Sequence, residues 1–170
     1  MANSVRSVLP ILFAFFAIIA TLVPVGTAPG SIVGPNFVLI SFAFWLIRRP
    51  SLVAPIAVFV IGAVLDCARA GPFGLELFVL LLVTQILRTY SERWPVYSLH
   101  DELLRFSLTA AAFEILCWSL LTVTFAQTPD LRVMIGRWAI TVALYPPLML
   151  VQKFVSGVHR TETPIGASTQ

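Results

Sequence analysis

Charged residues are scarce in this chain. Lys, Arg, Asp and Glu make up 11% of its 170 residues, against about 25% in an average soluble domain. So few charged residues cannot cover the surface of a water-soluble globule of this size. The 58% of hydrophobic residues also excludes intrinsic disorder, because disordered chains are poor in apolar residues. The composition therefore predicts a protein whose solvent is the lipid bilayer.

Cysteine and histidine are also rare, and their positions exclude several kinds of chemistry. Cys67 and Cys117 lie in or beside apolar stretches, without CxxC or Cys/His spacing. His100 and His159 lie in polar segments without a second ligand at metal spacing. The sequence also lacks a nucleophile–base set and a phosphate-binding glycine loop. We therefore expect a non-enzymatic protein with no metal and no cofactor.

Long apolar runs are what the chain has in abundance. A membrane-crossing helix takes about 20 apolar residues, so six would occupy about 120 and leave about 50 for loops and tails. The runs predict an all-α integral membrane protein, with a six-transmembrane-helix bundle over residues 1–155 and a polar cytoplasmic tail over 156–170. The approximate spans are residues 8–25, 32–47, 52–68, 75–90, 103–126 and 131–155. The first run exceeds the apolar core of a signal peptide, about 7–15 residues, so we expect a retained helix.

The basic residues divide unequally between the two sides of such a bundle. The net charge is +3, but the cations are scattered at helix ends, which suits membrane topology better than nucleic-acid binding. If the N-terminus is cytoplasmic, the inner ends hold Arg6, Arg48, Arg49, Arg88, Arg93, Arg105, Lys153 and Arg160. The outer ends then hold Arg69, Arg132 and Arg137. Positive charge concentrates on the cytoplasmic side of membrane proteins, so we expect both termini there.

Asp66, in the third predicted span, is the first polar residue that needs an explanation. It lies in the outer part of the bilayer core and near a helix C-terminus, where the helix dipole disfavours a carboxylate. Arg69 is the nearest candidate partner, and Gly62 lies on the same face, where a second helix could approach closely. We expect a fold-organising or partner-facing role. The alternative is an interfacial carboxylate that faces water.

Glu114 lies deeper, near the middle of the fifth predicted span. Ser107, Ala110 and Ala111 share its helix face, which is the small-residue pattern of a packed helix interface. A charge at this depth costs about 3 kcal/mol or more, so the side chain is either protonated or paired. Arg137 on the sixth span is a candidate partner. A proton or cation relay is a weaker hypothesis, because relays need several aligned groups.

Three stretches resemble MreD, the family of rod shape-determining membrane proteins. Gly34-Pro35-Asn36-Phe37-Val38-Leu39 resembles the Pro-Asn-aromatic opening of that family's second helix. Gly62-Ala63-Val64-Leu65-Asp66, followed by Gly71-Pro72-Phe73-Gly74-Leu75, resembles its central G-x-x-x-D…P-x-G signature. Tyr145-Pro146-Pro147, followed by Lys153, is similar to its proline-bearing last helix. Chain length, six predicted spans and short loops also agree with the family.

The resemblance implies a scaffold in the cytoplasmic (inner) membrane of rod-shaped bacteria. Members of the family bind MreC, which has a single membrane helix and a periplasmic coiled coil. With MreC they support the RodA glycosyltransferase and its transpeptidase partner in peptidoglycan synthesis, in coordination with MreB filaments. Together, the residues and the resemblance predict partner-binding or fold-organising roles for Pro35, Asn36, Gly62, Asp66, Arg69, Gly71, Pro72, Gly74, Glu114, Arg137 and Pro146.

A second hypothesis comes from the family's fold, which is similar to the six-helix substrate-binding components of energy-coupling-factor vitamin transporters. It predicts a solute- or lipid-binding protein with a pocket between its helices. A pocket of this kind needs convergent polar or aromatic groups, and the candidates are Asp66, Glu76, Trp118 and Arg137. Likeness of fold is a weak warrant for function, so we favour the scaffold. The sequence leaves open whether the protein forms a homodimer.

Overall fold

A computed structural model of the chain describes residues 2–22, 34–68, 72–93, 98–124 and 128–156. Within these ranges the protein is all-helical and has no strand, which confirms the all-α part of the predicted fold class. Six α-helices and one 3-10 turn follow one another: α1 (Ala2–Leu22), α2 (Phe37–Arg48), the turn Pro50–Leu52, α3 (Pro55–Ala68), α4 (Leu75–Arg93), α5 (Leu99–Val123) and α6 (Leu131–Ser156).

Two of the helices are long and apolar enough to cross a bilayer by length and composition. They cover Leu99–Val123 in α5 and Leu131–Val155 in α6. The apolar segments Leu9–Thr21, Phe37–Arg48 and Pro55–Ala68 are shorter. Six membrane crossings therefore stay a prediction.

Helix α2 forms the buried centre of the bundle. Every residue from Val38 to Arg48 is buried, and α1, α4, α5 and α6 all contact this helix. A helix that is apolar on all faces is stable only when other elements surround it. In the described part of the predicted second span, residues 34–47, the helix begins at Phe37, because the Asn36 side chain accepts a hydrogen bond from the Leu39 N–H and caps the helix there.

The start of α3 differs from the prediction. Pro50–Leu52, at the start of the predicted third span, forms a 3-10 turn. The α-helix begins at Pro55 rather than at residue 52. Proline is favoured at the first helical position, where its missing N–H would have no partner within the helix.

The stretch between the predicted fourth and fifth spans, residues 91–102, is helical at both of its ends, and residues 94–97 lie outside the described part of the chain. Helix α4 continues to Arg93, and α5 begins at Leu99, where the Ser98 hydroxyl accepts a hydrogen bond from the His100 N–H at 3.2 Å. Glu102 consequently lies in the first turn of α5 instead of in a loop. Helix α6 follows its predicted bounds and continues through Pro146 and Pro147.

The outer surface of the bundle is apolar over several helices. Large hydrophobic side chains are exposed on α1, α3, α4, α5 and α6, among them Phe16, Ile56, Phe78, Leu108 and Phe154. Water-soluble monomers rarely expose apolar surface of this extent. This surface suits contact with lipid.

The charged residues separate between the two ends of the bundle. Arg48 bonds Glu102, which joins the end of α2 to the start of α5, and Arg88 donates to the Val53 carbonyl, which joins the end of α4 to the segment before α3. We call this the basic end; its charged residues are Arg48, Arg49, Arg88, Arg93, Arg105 and Lys153, with Glu92, Asp101 and Glu102. The opposite half carries Asp66, Glu76, Glu114 and Asp130, with Arg132 and Arg137.

Candidate functional site

The predicted site residues contribute to a set of buried polar contacts between helices. We call these contacts the polar framework; it consists of the bonds made by Asp66, Asn36, Glu114 and Glu102 with their partners on other helices. Buried polar groups in an apolar bundle must be paired, so each contact fixes the position of one helix relative to another.

Asp66 joins α3 to α4. Its Oδ2 accepts hydrogen bonds from the backbone N–H groups of Gly74 at 2.9 Å and Leu77 at 3.1 Å. The first N–H groups of a helix lack partners within it, and the positive end of the helix dipole favours a carboxylate. The start of α4 thus compensates the unfavourable position of Asp66 at the end of α3. Its expected partner Arg69, and Gly71, lie outside the described residues.

Two glycines shape the same corner of the fold. A Cβ on Gly62 would lie 2.7 Å from Leu77 Cδ1 and 3.4 Å from Leu77 Cα, so glycine permits the close approach of α3 and α4. Gly74 has φ of +90°, a backbone conformation that favours glycine. Pro72, in the same turn, is exposed, and its carbonyl accepts a hydrogen bond from the Leu75 N–H at 3.3 Å. At Gly62, the side chain of Leu77 on α4 of the same chain therefore packs against α3.

Asp66→Leu is expected to lower the free energy of unfolding by about 1–2 kcal/mol, because two N–H groups at the start of α4 lose their acceptor. Asp66→Asn keeps an acceptor oxygen but loses the charge, so its cost should be smaller. Denaturant titration of the purified protein in detergent measures both values. Equal costs for the two variants would contradict the capping role.

Glu114 and Arg137 form an ion pair between α5 and α6. Arg137 Nε lies 2.8 and 2.9 Å from the two carboxylate oxygens, and Arg137 Nη2 also donates to Glu114 Oε2. Arg137 was the candidate partner of Glu114 in the sequence, and the structure brings the two side chains together. The α5 face that carries Ser107 also contacts α6, since the Ser107 carbonyl accepts from Trp138 Nε1 at 3.1 Å.

Thr141 connects the backbone of Arg137 to the start of α2. Its hydroxyl donates to the Arg137 carbonyl at 2.6 Å and accepts the Asn36 N–H at 3.1 Å. Asn36 and the neighbouring Pro35 are both buried. The start of α2 is therefore linked through α6 to Glu114 on α5. Pro146 is separate from these contacts and exposed on α6.

The most deeply buried charged contact was missed by sequence reasoning. Glu102 is 0% exposed. Its carboxylate accepts hydrogen bonds from Arg48 Nε at 3.1 Å, from Arg48 Nη2 at 3.0 Å and from the Tyr145 hydroxyl at 2.8 Å. Phe106 stacks on Tyr145 with ring centroids 4.0 Å apart, and the Arg48 guanidinium lies 4.8 Å from the Phe44 ring centroid. This cluster joins α2, α5 and α6 at the basic end.

A local signal for this cluster was present in the sequence. Ser98-Leu99-His100-Asp101 fits the S/T-x-x-D/E pattern of a helix start. That pattern places Glu102 on a helix. Arg48 was counted only as a topological charge, and a sequence gives no direct sign that two charges far apart in the chain will meet.

The polar framework connects helices through bonds between their side chains and backbone groups. Among the described residues, no group of three or more His, Cys, Asp and Glu side chains could hold a metal ion. Asp66 bonds backbone N–H groups, whereas Glu102 and Glu114 each bond an arginine. The framework's physical effect is to fix helix positions.

Fold and framework together define a helical protein with an apolar outer surface and interhelical charge pairs in its interior. A family model described as rod shape-determining protein MreD matches residues 1–156. The chain belongs to the MreD family, as the resemblance of its motifs indicated, and its role lies in the determination of rod shape. Comparisons with curated proteins and with solved structures found no match.

Proposed function

We propose that this protein is a non-enzymatic, multi-pass scaffold of the elongation complex in the bacterial inner membrane. It binds the membrane helix of MreC and thereby supports the RodA glycosyltransferase and its transpeptidase partner, with an indirect link to MreB filaments. Family membership supports a place in the shape-determining machinery. The observation that carries the scaffold role is the polar framework. Its buried charges pair between helices and thereby fix the positions of the helices relative to one another.

The packing of the bundle centre favours the scaffold over a vitamin-transporter type of solute pocket. Phe42, Phe44 and Trp45 on α2 have 0% exposure and occupy the interior. Two of the pocket candidates, Asp66 and Arg137, are already bonded to other helices. Trp118 is exposed on the outside of α5. A thermal shift of the purified protein with a vitamin would revive the solute-binding alternative.

The distribution of charge supports an orientation with both termini in the cytoplasm. The basic end collects arginines from the end of α2, the end of α4 and the start of α5. Positive residues near membrane boundaries concentrate on the cytoplasmic side. In the proposed topology the basic end therefore faces the cytoplasm, and the turn between α3 and α4 faces the periplasm.

The proposed contact for the MreC helix is the exposed face of α3. We call it the outer stripe of α3; it consists of Ile56, Phe59, Val60 and Val64. Helix α3 has 14 residues and is about 21 Å long, shorter than the hydrocarbon core of about 30 Å. A helix that is shorter than the hydrocarbon core can reduce this mismatch in length by associating with other helices. A partner helix on this stripe would cover apolar surface that α3 leaves exposed.

The first test is recovery of MreC when the tagged full chain is purified in mild detergent. Val60→Trp adds bulk to the outer stripe of α3 and is expected to reduce MreC recovery at unchanged protein abundance. Val151→Trp on α6 is the matched control, because Val60 and Val151 are 51% and 54% exposed. Quantitative mass spectrometry of the eluted proteins gives the readout, and we expect Val151→Trp to retain MreC.

The possible outcomes distinguish whether the protein binds MreC from which helix binds it. If wild-type protein recovers no MreC in mild detergent or after crosslinking in cells, the scaffold proposal is wrong. If Val151→Trp alone loses MreC, the scaffold stands and the interface lies on α6. Recovery of cytosolic ATPase and coupling subunits instead would support the uptake alternative.

A further inference from the structure

A groove of about 420 Å³ lies between α4 and α5. Its volume falls within the range of about 300–1,000 Å³ that is typical of small-molecule sites. Residues that line it include Ile86, Leu87 and Tyr90 on α4 and Arg105, Leu108 and Ala112 on α5. Ile86 and Leu108 are exposed, so the groove opens sideways to the apolar surroundings of the bundle.

The groove has a polar end and an apolar end. Only residues 94–98 separate α4 from α5, and helices joined by so short a segment run antiparallel. Tyr90, late in α4, therefore lies level with Arg105, early in α5, whereas Ala112 lies toward the other end. The polar end, with Tyr90 and Arg105, belongs to the basic end of the bundle.

We propose that this groove binds an anionic phospholipid, with an acyl chain along the apolar lining and the phosphate on Arg105 and the Tyr90 hydroxyl. Guanidinium groups bind phosphate oxygens through charge-assisted hydrogen bonds. Tyrosine is enriched at the headgroup level of membranes. Basic pockets between membrane helices on the cytoplasmic side bind anionic headgroups.

The position of Arg105 along α5 agrees with this occupant. Arg105 lies six residues after Leu99, where α5 begins, which is about 9 Å along the helix. At that depth its long side chain can place the guanidinium at the headgroup layer while its methylenes cover apolar surface. Charge complementarity favours phosphatidylglycerol over zwitterionic phosphatidylcholine. This inference is independent of MreC binding.

The test is native mass spectrometry of the full chain, purified, stripped of lipid, and exposed to an equimolar mixture of phosphatidylglycerol and phosphatidylcholine in detergent. Wild-type protein is expected to retain phosphatidylglycerol in preference. Arg105→Gln should reduce that preference by about tenfold, because a charge-assisted hydrogen bond is lost. Ala112→Phe fills the groove and should reduce retention of both lipids.

Arg93→Gln is the matched control, since Arg93 is an exposed cation at the same end and does not line the groove; its lipid preference should equal that of wild type. Circular dichroism and melting temperature verify that the variants fold. The wild-type preference tests the proposal even if a variant does not fold. Equal wild-type retention of the two lipids, or equal effects of Arg105→Gln and Arg93→Gln, would overturn it. So would loss of a partner protein in Ala112→Phe with lipid retention unchanged.

Discussion

Glu102→Leu is expected to lower the free energy of unfolding by about 3–5 kcal/mol, the range for breaking a buried ion pair from one side. The reason is the environment of Arg48, whose side chain is 3% exposed and bonded to both oxygens of the Glu102 carboxylate. Without Glu102, this guanidinium stays buried without its carboxylate. Denaturant titration in detergent, followed by circular dichroism, measures the change.

The double variant Arg48→Met/Glu102→Leu separates the cost of an orphaned charge from the value of the pair. Apolar residues of similar volume often replace a buried ion pair without loss of stability, so the double variant should regain most of the stability that Glu102→Leu loses. Glu92→Gln, at an exposed position of the same end, should change stability by about 0.5 kcal/mol or less. If the losses of stability caused by Arg48→Met and by Glu102→Leu simply add in the double variant, direct coupling between Arg48 and Glu102 is contradicted.

Gly62→Leu is expected to have the second large effect and to prevent the close packing of α3 and α4. A Cβ at this position already lies 2.7 Å from Leu77 Cδ1, and the Leu77 backbone is only 3.4 Å away. Overpacking typically costs about 1–3 kcal/mol, occasionally more, and leucine adds three further carbon atoms. Gly62→Ala should fall at the lower end of this range, since the side chain of Leu77 can move. Thermal unfolding of both variants in detergent shows which of them is less stable.

Gly136→Ala provides the matched control for Gly62→Ala. Both glycines lie inside helices, but a Cβ on Gly136 meets nothing within 4 Å. Alanine should therefore stabilise α6 by about 0.5–1 kcal/mol through its higher helix propensity. Leu77→Ala should partly rescue Gly62→Leu, because it removes the nearest side-chain atoms. If Gly62→Leu unfolds like wild type, the close approach of α3 and α4 is not required for stability.

These expectations change how loss of MreC binding by Gly62 and Asp66 variants is interpreted. The sequence left open a fold-organising or a partner-facing role for these residues, and the structure has both in contact with α4 of the same chain. A variant that loses MreC together with thermal stability reports on the fold of the scaffold. Val60→Trp, on the exposed side of α3, addresses the interface directly.

Family membership and helical content were accessible from sequence because they depend on local or compositional features. The runs of apolar residues predict helices, and the motifs around Asn36 and from Gly62 to Gly74 lie close together in the chain. Helix boundaries were less accurate where caps decide them: Asn36 delays α2 to Phe37, and Ser98 starts α5 at Leu99. A hydrogen bond from one side chain outweighs the hydropathy of several neighbours at a helix end.

By itself, the sequence determined that this protein is helical, apolar on its surface and a member of the MreD family, because composition and short motifs carry that information. Arg137 was already the candidate partner of Glu114, but only the tertiary structure decided the partners of Glu102 and Asp66. Glu102 meets Arg48 across 54 positions of the chain, and Asp66 caps a neighbouring helix. Such pairings depend on the relative rotation and depth of packed helices, and hydropathy patterns constrain which face is buried but not which residue lies opposite.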